Sequence, residues 1–498
     1  MASRLTGPAP PAMALRMLDL RPVLHVIGLL LAALGLFMLL PAAVDWLQGD
    51  ESWPILLRAG FVTVLAGALL ALATANTRSD ALTVRQSFLL TTLTWTVLPA
   101  FGALPFMLGP EGRSLTDAAF EAMSGMTTTG TTILTGLDDM AVGLLLWRSI
   151  LQWLGGLGII IVALVFLPVM RVGGMQHFRS EGFDTMGKVL PRVRDISMML
   201  IEIYLGLTII AALAYAAAGM GAFDAINHAL TTIATGGYST RDASMGAFGP
   251  ATHYVGALLM WLSGLPFIRY IQLVGGQPMP LLRDVQVRAY FRWTLYAIGL
   301  IVVWRLATGD DALETVIRES AFNTLSIFSG TGYGTAGVDD WGDFALLVVF
   351  ICGVVGACTA STGCALKIFR FLVLIEALKA QLRQLVQPNR VVILHLGGKR
   401  LEDDVIASVI VLFTAFMLGF GVLAVLLSLT GLEMRTAITA AWTSIFNIGP
   451  VFGHGVGDSG AVDAFPVAAK WLMIAGMLLG RLEMVAVLVL LLPRFWRG

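Results

Sequence analysis

Four times between residues 115 and 450 the sequence leaves an apolar run, crosses a short semi-polar segment, reaches a glycine and turns apolar again. The stretches are Ser124-Gly-Met-Thr-Thr-Thr-Gly130, Thr231-Thr-Ile-Ala-Thr-Gly236, Ser326-Ile-Phe-Ser-Gly-Thr-Gly332 and Ser444-Ile-Phe-Asn-Ile-Gly449. Aligned on Gly130, Gly236, Gly332 and Gly449, they recur at intervals of 106, 96 and 117 residues. Internal repetition constrains a fold more than any local pattern does. Each semi-polar segment opens with an acid (Asp117, Asp224, Glu314, Glu433), which suits a helix N-terminus. None is long enough to cross a bilayer, which takes about 20 apolar residues. Irregular backbone at membrane depth survives only when buried in protein or lining a water-filled cavity. Four such elements in one chain can surround a single axis and make a pore.

Composition places these repeats in a membrane. Of 498 residues 57% are apolar and 13% charged, about half the share usual in soluble domains. Mean hydropathy is +0.82. That excludes a disordered chain, a disulfide scaffold and an ordinary cytosolic enzyme. The 32 basic and 32 acidic residues balance, so no net field points to nucleic acid. Cys352, Cys358 and Cys364 share one apolar stretch without a CxxC, and read as reduced, buried side chains.

Hydropathy predicts an all-α polytopic protein with ten spans at 22–43, 55–75, 88–109, 141–170, 197–220, 252–276, 290–308, 342–375, 404–430 and 464–492. The first run is longer than the 7–15 residues of a signal-peptide core and reads as a retained helix. The segments 1–21, 76–87, 171–196, 277–292, 365–402 and 493–498 hold 22 of the 32 basic residues. The alternate loops hold more than half of the 32 acids, including Asp138, Asp139, Asp310, Asp311, Asp339 and Asp340. Both termini are therefore expected in the cytoplasm. The chain divides into a two-helix N-terminal domain (1–87) and four helix–pore-loop–helix repeats. These cover 88–196, 197–285, 286–387 with an intramembrane gate loop, and 388–498, which starts with a cytoplasmic hairpin.

A half-helix aiming its C-terminus inward offers the negative end of its dipole to a cation. The backbone after it can supply carbonyl oxygens in place of a hydration shell, and glycine supplies the angles such a loop needs. Thr128, Thr129 and Gly130, Ala234, Thr235 and Gly236, Gly330, Thr331 and Gly332, and Asn447, Ile448 and Gly449 are the ion-binding candidates.

These residues resemble the TrkH/KtrB/HKT superfamily of potassium transporters, and within it the TrkH branch. Phe328-Ser-Gly-Thr-Gly-Tyr-Gly-Thr335 is close to the potassium-channel filter signature, and Ala234-Thr-Gly-Gly-Tyr-Ser-Thr240 is similar to the family's second loop. Gln152-Trp-Leu-Gly-Gly-Leu-Gly-Ile159, continuing through Leu167-Pro to Arg171-Val-Gly-Gly-Met175, looks like the helix after its first loop. The two extra N-terminal helices also match TrkH. The resemblance implies potassium uptake through one gated pore per subunit, a homodimer in the bacterial inner membrane, and a cytosolic ring of TrkA-type subunits. No Gly-rich nucleotide motif occurs here, so ATP or NAD is expected on that partner and no cofactor in this chain. Glycine at all four aligned positions goes with potassium rather than sodium in the family. Only the third loop carries Gly-Tyr-Gly, however, and the fourth continues Gly449-Pro450, where proline restricts the backbone. Fewer equivalent carbonyl rings mean weaker discrimination, so a sodium-permeable or weakly selective alkali-cation transporter is the alternative.

The eighth span is interrupted by Gly353-Val-Val-Gly-Ala-Cys-Thr-Ala-Ser-Thr-Gly363, with Lys367 following. Small residues also serve helix packing, but the resemblance makes this an unwound gate beneath the filter: Gly353, Gly356, Ser361, Thr362, Gly363 and Lys367. Arg481 lies inside the last span, where a charge costs about 2.5–3.5 kcal/mol and needs a cavity or partner. It reads either as half of a structural ion pair or, as the resemblance implies, as a charge acting with the gate. Glu202 and Arg269 are a candidate pair, or simply snorkel. His228 and His454 read as ordinary hydrogen-bonded histidines. Pro388 to Glu402 reads as a hairpin around Gly397-Gly398 that could dock the regulatory ring. Gly455-Val-Gly-Asp458 matches the GxGD of intramembrane aspartyl proteases, but it falls in a polar outer loop and no Tyr-Asp accompanies it. With no HExxH or GxSxG either, an intramembrane hydrolase is the distant alternative.

Overall fold

The computed structural model describes residues 18–76, 82–109, 112–166, 174, 193–389 and 392–497. The expected Arg171-to-Met175 motif, apart from Gly174, lies outside them, as does most of segment 171–196.

Two antiparallel helical runs open the chain, Arg21–Phe37 continued by Leu39–Gln48, and Trp53–Ala73. Their backbones touch through glycine: a Cβ on Gly28 would lie 2.6 Å from the Ala71 nitrogen, and one on Gly35 2.7 Å from the Gly60 carbonyl. Such close approach is how apolar helices associate without a hydrophobic driving force between them. Asp45, fully buried at the end of this hairpin, accepts from the Gly143 backbone and ties the pair to the first repeat.

Four units follow, each a long helix, a short helix, a loop and a second long helix. The short helices are Leu115–Met126, Ala222–Ile233, Leu313–Ser329 and Met434–Phe446. Asp117, Asp224 and Glu314 sit in first turns, and Glu433 is the N-cap of the fourth. In the first, the Ser114 hydroxyl also accepts from the Asp117 backbone, satisfying one orphan donor. Every short helix ends where its glycine loop begins, with buried side chains through its last turn.

The second long helices are not plain spans. In the first unit, Val142–Ile161 continues into a π-helical turn, Val162–Phe166. In the second, Pro250–Ser263 and Phe267–Val274 meet at 94°. In the third, Asp343–Val355 stops and Ile368–Val386 resumes twelve residues later. In the fourth, Val467–Arg481 and Val485–Leu491 meet at 102°. Only the third break is expected from sequence, so the spans 252–276 and 464–492 are corrected to broken ones. Gly264 and Pro266 explain the second break. The fourth occurs at Leu482-Glu483-Met484, where Glu483 and Met484 have φ of 56° and 45°. Among the described residues six helices are long and apolar enough to cross a membrane, or eight if each sharply bent pair counts as one. Helix Val285–Thr308 falls short because Arg288, Arg292 and Arg305 dilute its apolar run, and the third-unit helix is cut at Val355. The expected hairpin forms: His395–Leu396 pairs antiparallel with Lys399–Arg400 across Gly397-Gly398.

Candidate functional site

The four loops share one backbone pattern. Each has a left-handed residue, an ordinary one, and a left-handed glycine: Thr128 and Gly130, Thr235 and Gly237, Gly330 and Gly332, Asn447 and Gly449. Each middle residue donates its N–H to the short helix: Thr129 to Ser124, Gly236 to Thr231, Thr331 to Ser326 and Ile448 to Thr443, at 2.8–3.2 Å. This corrects the sequence register. Gly237, not Gly236, is the counterpart of Gly130, Gly332 and Gly449, and the intervals become 107, 95 and 117 residues. Ala234 caps its helix one position before the loop proper, so the second loop's set is Thr235, Gly236 and Gly237. Likewise Thr443, not Ser444, is the counterpart of Ser124. A threonine with positive φ is a strained residue that persists only where its surroundings over-determine it. Here Thr128 and Thr235 are both fully buried.

The loops close on one another in order. A Cβ on Gly130 would overlap the carbonyl oxygen of Gly236, one on Gly237 that of Thr331, one on Gly332 that of Ile448, and one on Gly449 would lie 3.0 Å from that of Thr129. Each glycine thus admits the middle carbonyl of the next loop, and the fourth returns to the first. Cross-loop bonds tighten the ring: Asn447 Nδ2 donates to Thr129 Oγ1 at 2.9 Å and Thr131 Oγ1 to the Gly449 carbonyl at 2.6 Å. Four backbone oxygens on one ring can replace the hydration shell of a small cation. One member differs, because the Gly236 oxygen already accepts from Gln152 Nε2 at 2.7 Å.

On the side of the loops' glycines a cavity of about 610 Å³ opens, lined by all four loops and by Arg148, Arg241, Asp242, Asp339 and Asp458. Asp458 of the Gly455-Val-Gly-Asp458 stretch thus faces this mouth. Beneath the ring lies the segment between Gly356 and Lys367, buried throughout. Ala360, Ala365 and Lys367 take φ of 61–69° there, and Gly356 70°. It is anchored at the second unit's break by Phe267 N to Ala360 O at 2.8 Å, Cys358 N to Gly264 O at 3.1 Å and Thr362 Oγ1 to Ser263 O at 3.2 Å. Above, Ala365 N donates to Phe446 O at 3.1 Å, Cys364 Sγ lies 3.9 Å from Thr128 Oγ1, and a Cβ on Gly363 would lie 2.7 Å from the Ser329 oxygen. The segment therefore underlies loops one, three and four. Gly356, Ser361, Thr362, Gly363 and Lys367 all belong to it. Gly353 does not: it sits in regular helix, where a Cβ would enter the Trp442 ring.

Arg481 is 3% exposed. It donates from Nη1 to the Thr362 carbonyl at 3.4 Å and from Nη2 to the Gly155 carbonyl at 3.3 Å, and Nη1 also touches Cys364 Sγ. Among the described residues no acid pairs with it. The ion pair belongs instead to Arg370, fully buried, with Glu483 at 2.5 Å. Sequence reasoning passed over this pair because its members lie 113 residues apart. The candidate Glu202–Arg269 pair is also corrected: Glu202 is exposed, and Arg269 pairs with Asp284 at 2.7 Å. His228 bonds the Asp224 carbonyl and Ser239 Oγ.

Behind the first loop a second buried pair went unread. Arg148 Nε meets Glu121 Oε1 at 2.8 Å, with the two side chains 1% and 0% exposed. Arg148 also donates to the Ser239 carbonyl and lies 4.1 Å over the Tyr238 ring. The signal available was two charges at apolar-face positions on neighbouring helices, which is costly unless they meet.

The chain is similar to known proteins over nearly its whole length. The profile of the TrkH family, described as cation transport protein, matches residues 54–497. The Trk system potassium uptake protein TrkI of Halomonas elongata is 41% identical over 478 residues, 96% of this chain and 97% of its own. TrkH of Escherichia coli, also a Trk system potassium uptake protein, is 36% identical, with 96% and 99% covered. The crystal structure of the potassium transporter TrkH from Vibrio parahaemolyticus superposes with a TM-score of 0.89 at 33% identity, covering 96% of this chain and all of that one.

Proposed function

Because the chain belongs to the TrkH family of cation transport proteins, we propose that it is a potassium uptake protein of a Trk system, conducting through a gated pore whose filter is the four-loop ring. The closed sequence of glycine-to-carbonyl contacts carries this reading. The ion-binding set is Thr128 to Gly130, Thr235 to Gly237, Gly330 to Gly332 and Asn447 to Gly449, with Ala234 capping the second helix at its entrance. The ion would shed water at the outer cavity, pass the ring, and meet the segment Gly356 to Lys367, which closes the path. Gly353 supports the gate by packing on Trp442, and Arg481 holds it shut through Thr362. The gate continues into helix Ile368–Val386, which contacts the hairpin strand His395–Leu396. A cytosolic TrkA-type ring bound at that hairpin would pull on the gate through a rigid rod. Nucleotide would bind that ring, while this chain forms a homodimer in the bacterial inner membrane with both termini cytoplasmic.

A second reading, a loosely selective alkali-cation pathway, is favoured by the Gly236 oxygen, which Gln152 already engages. Flux of rubidium against sodium through the purified protein in liposomes separates the two. Rubidium flux well above sodium supports the filter, and comparable fluxes support the second reading.

The outer cavity adds a pH dependence. Burial raises the Asp339 carboxyl; Arg435, 3.1 Å away, opposes this and Asp340 reinforces it, leaving the pKa above the usual carboxylate value. Deprotonated Asp339 attracts cations, and acidifying the outside through its raised pKa removes that charge. Half-maximal uptake should then require about twofold more potassium, the worth of one partly solvated charge. Asp339→Asn should show the weaker affinity at neutral pH and less change on acidification, measured as KM against external pH.

A further inference from the structure

The outer end of each loop is strapped back to its own short helix, each time by a different side chain. In the first unit Glu121 accepts from the Ile133 backbone at 3.1 Å and from Thr132 Oγ1 at 2.9 Å. In the third, Asn323 Oδ1 accepts from the Thr335 backbone at 3.2 Å while its Nδ2 donates to Thr335 Oγ1 at 2.7 Å. In the second, His228 Nδ1 bonds the Asp224 carbonyl, so a neutral ring accepts from Ser239 Oγ at Nε2, 3.0 Å away. Glu121, His228 and Asn323 each stand nine residues before their loop's glycine. The fourth counterpart is Ala440, and there Thr439 takes over: its Oγ1 accepts from the Phe452 backbone at 3.1 Å and donates to the Phe452 carbonyl at 2.7 Å. All four strap residues are buried, none more than 5% exposed.

We propose that Glu121, His228, Asn323 and Thr439 are positioning residues that set how sharply the ring discriminates among alkali cations. This rests on reading the ring as a cation filter. Each loop holds two left-handed residues and is fixed at its inner end by the helix it leaves. Without a restraint two or three residues beyond its glycine it can relax, and the carbonyl it offers moves with it. Ring size, and the number and field strength of the carbonyls that coordinate the ion, set the preference between potassium and the smaller sodium ion. The straps touch no ion and act through the backbone they hold. The Glu121 strap is the stiffest, being pinned by Arg148. The Thr439 strap is one hydroxyl, and so the cleanest to remove.

The test uses the full-length protein in liposomes, reading the rubidium-to-sodium flux ratio of Thr439→Val, Thr439→Ser and Asn323→Leu. Thr439→Val keeps shape and loses the hydroxyl, and the ratio should fall about three- to tenfold, the worth of one buried hydrogen bond. Thr439→Ser keeps the hydroxyl and should hold the wild-type ratio. Asn323→Leu should reproduce the fall from another loop, and it carries the test should Thr439→Val not fold. Wild-type ratios in both strap-breaking variants overturn the inference, as does a serine variant that falls as far as valine, since that marks packing alone. A wild-type protein with no preference for rubidium instead overturns the filter reading and this inference with it. A selective wild type beside unaffected variants overturns only the straps.

Discussion

Gly332→Ser is expected to abolish most of the preference for potassium over sodium while leaving a folded, inserted protein. Gly332 has a φ of 88°, and a Cβ there would overlap the Ile448 carbonyl oxygen. A residue other than glycine pays about 1–3 kcal/mol in that conformation, and relief comes only by displacing the neighbouring loop's carbonyl. One substitution therefore disturbs two of the four loops. A loss of tenfold or more in the rubidium-to-sodium ratio is expected from a free energy of that size. The helices are untouched by the change, so size-exclusion profile and thermal midpoint should remain near wild type. An unchanged ratio in such a protein would remove the ring from the conduction path.

Arg481→Ala should raise flux in the absence of any cytosolic partner by about tenfold or more. Its guanidinium spans from the Gly155 carbonyl in the first unit to the Thr362 carbonyl in the segment beneath the ring. Hydrogen bonds from charged groups contribute about 1.5–3 kcal/mol each, so losing the gate-side bond shifts the closed state by about one power of ten. Arg481→Lys can reach only one of the two carbonyls and should fall between the two. Unaltered flux in well-inserted alanine protein would make Arg481 a structural residue only.

Much of this architecture is written locally. Gly130, Gly332 and Gly449 stand out because a left-handed backbone leaves glycine with little competition. The doublet Gly236-Gly237 offers two glycines for one position, and the left-handed φ of Gly237 together with the hydrogen bond from Gly236 N to Thr231 O decides between them. Arg481 is conspicuous as a charge in an apolar run. The break two residues later is not, because Leu482, Glu483 and Met484 are all good helix formers. There the helix yields to tertiary demand: Glu483 must reach Arg370, and the paired charges hold two residues in conformations their side chains disfavour. The straps escape notice for a different reason. A carboxylate, an imidazole, an amide and a hydroxyl do one job, and repeat detection looks for like residues. The Glu202–Arg269 suggestion failed because sequence cannot say which of several acids an arginine turns toward.

The fourfold ring is assembled from one covalent chain rather than four identical ones, and this bears on how such a protein can be altered by mutation. In a pore of four identical subunits every codon change strikes the ring four times over, so small adjustments are hard to make. Here a single nucleotide change reaches one quadrant. Asn323 can be changed while Glu121 stays, and in the fourth quadrant Thr439 bonds Phe452 where Ala440 has no polar side chain to do so. On the filter reading proposed above, ion preference would be tuned in quarter steps, with the other three quadrants keeping the pathway working.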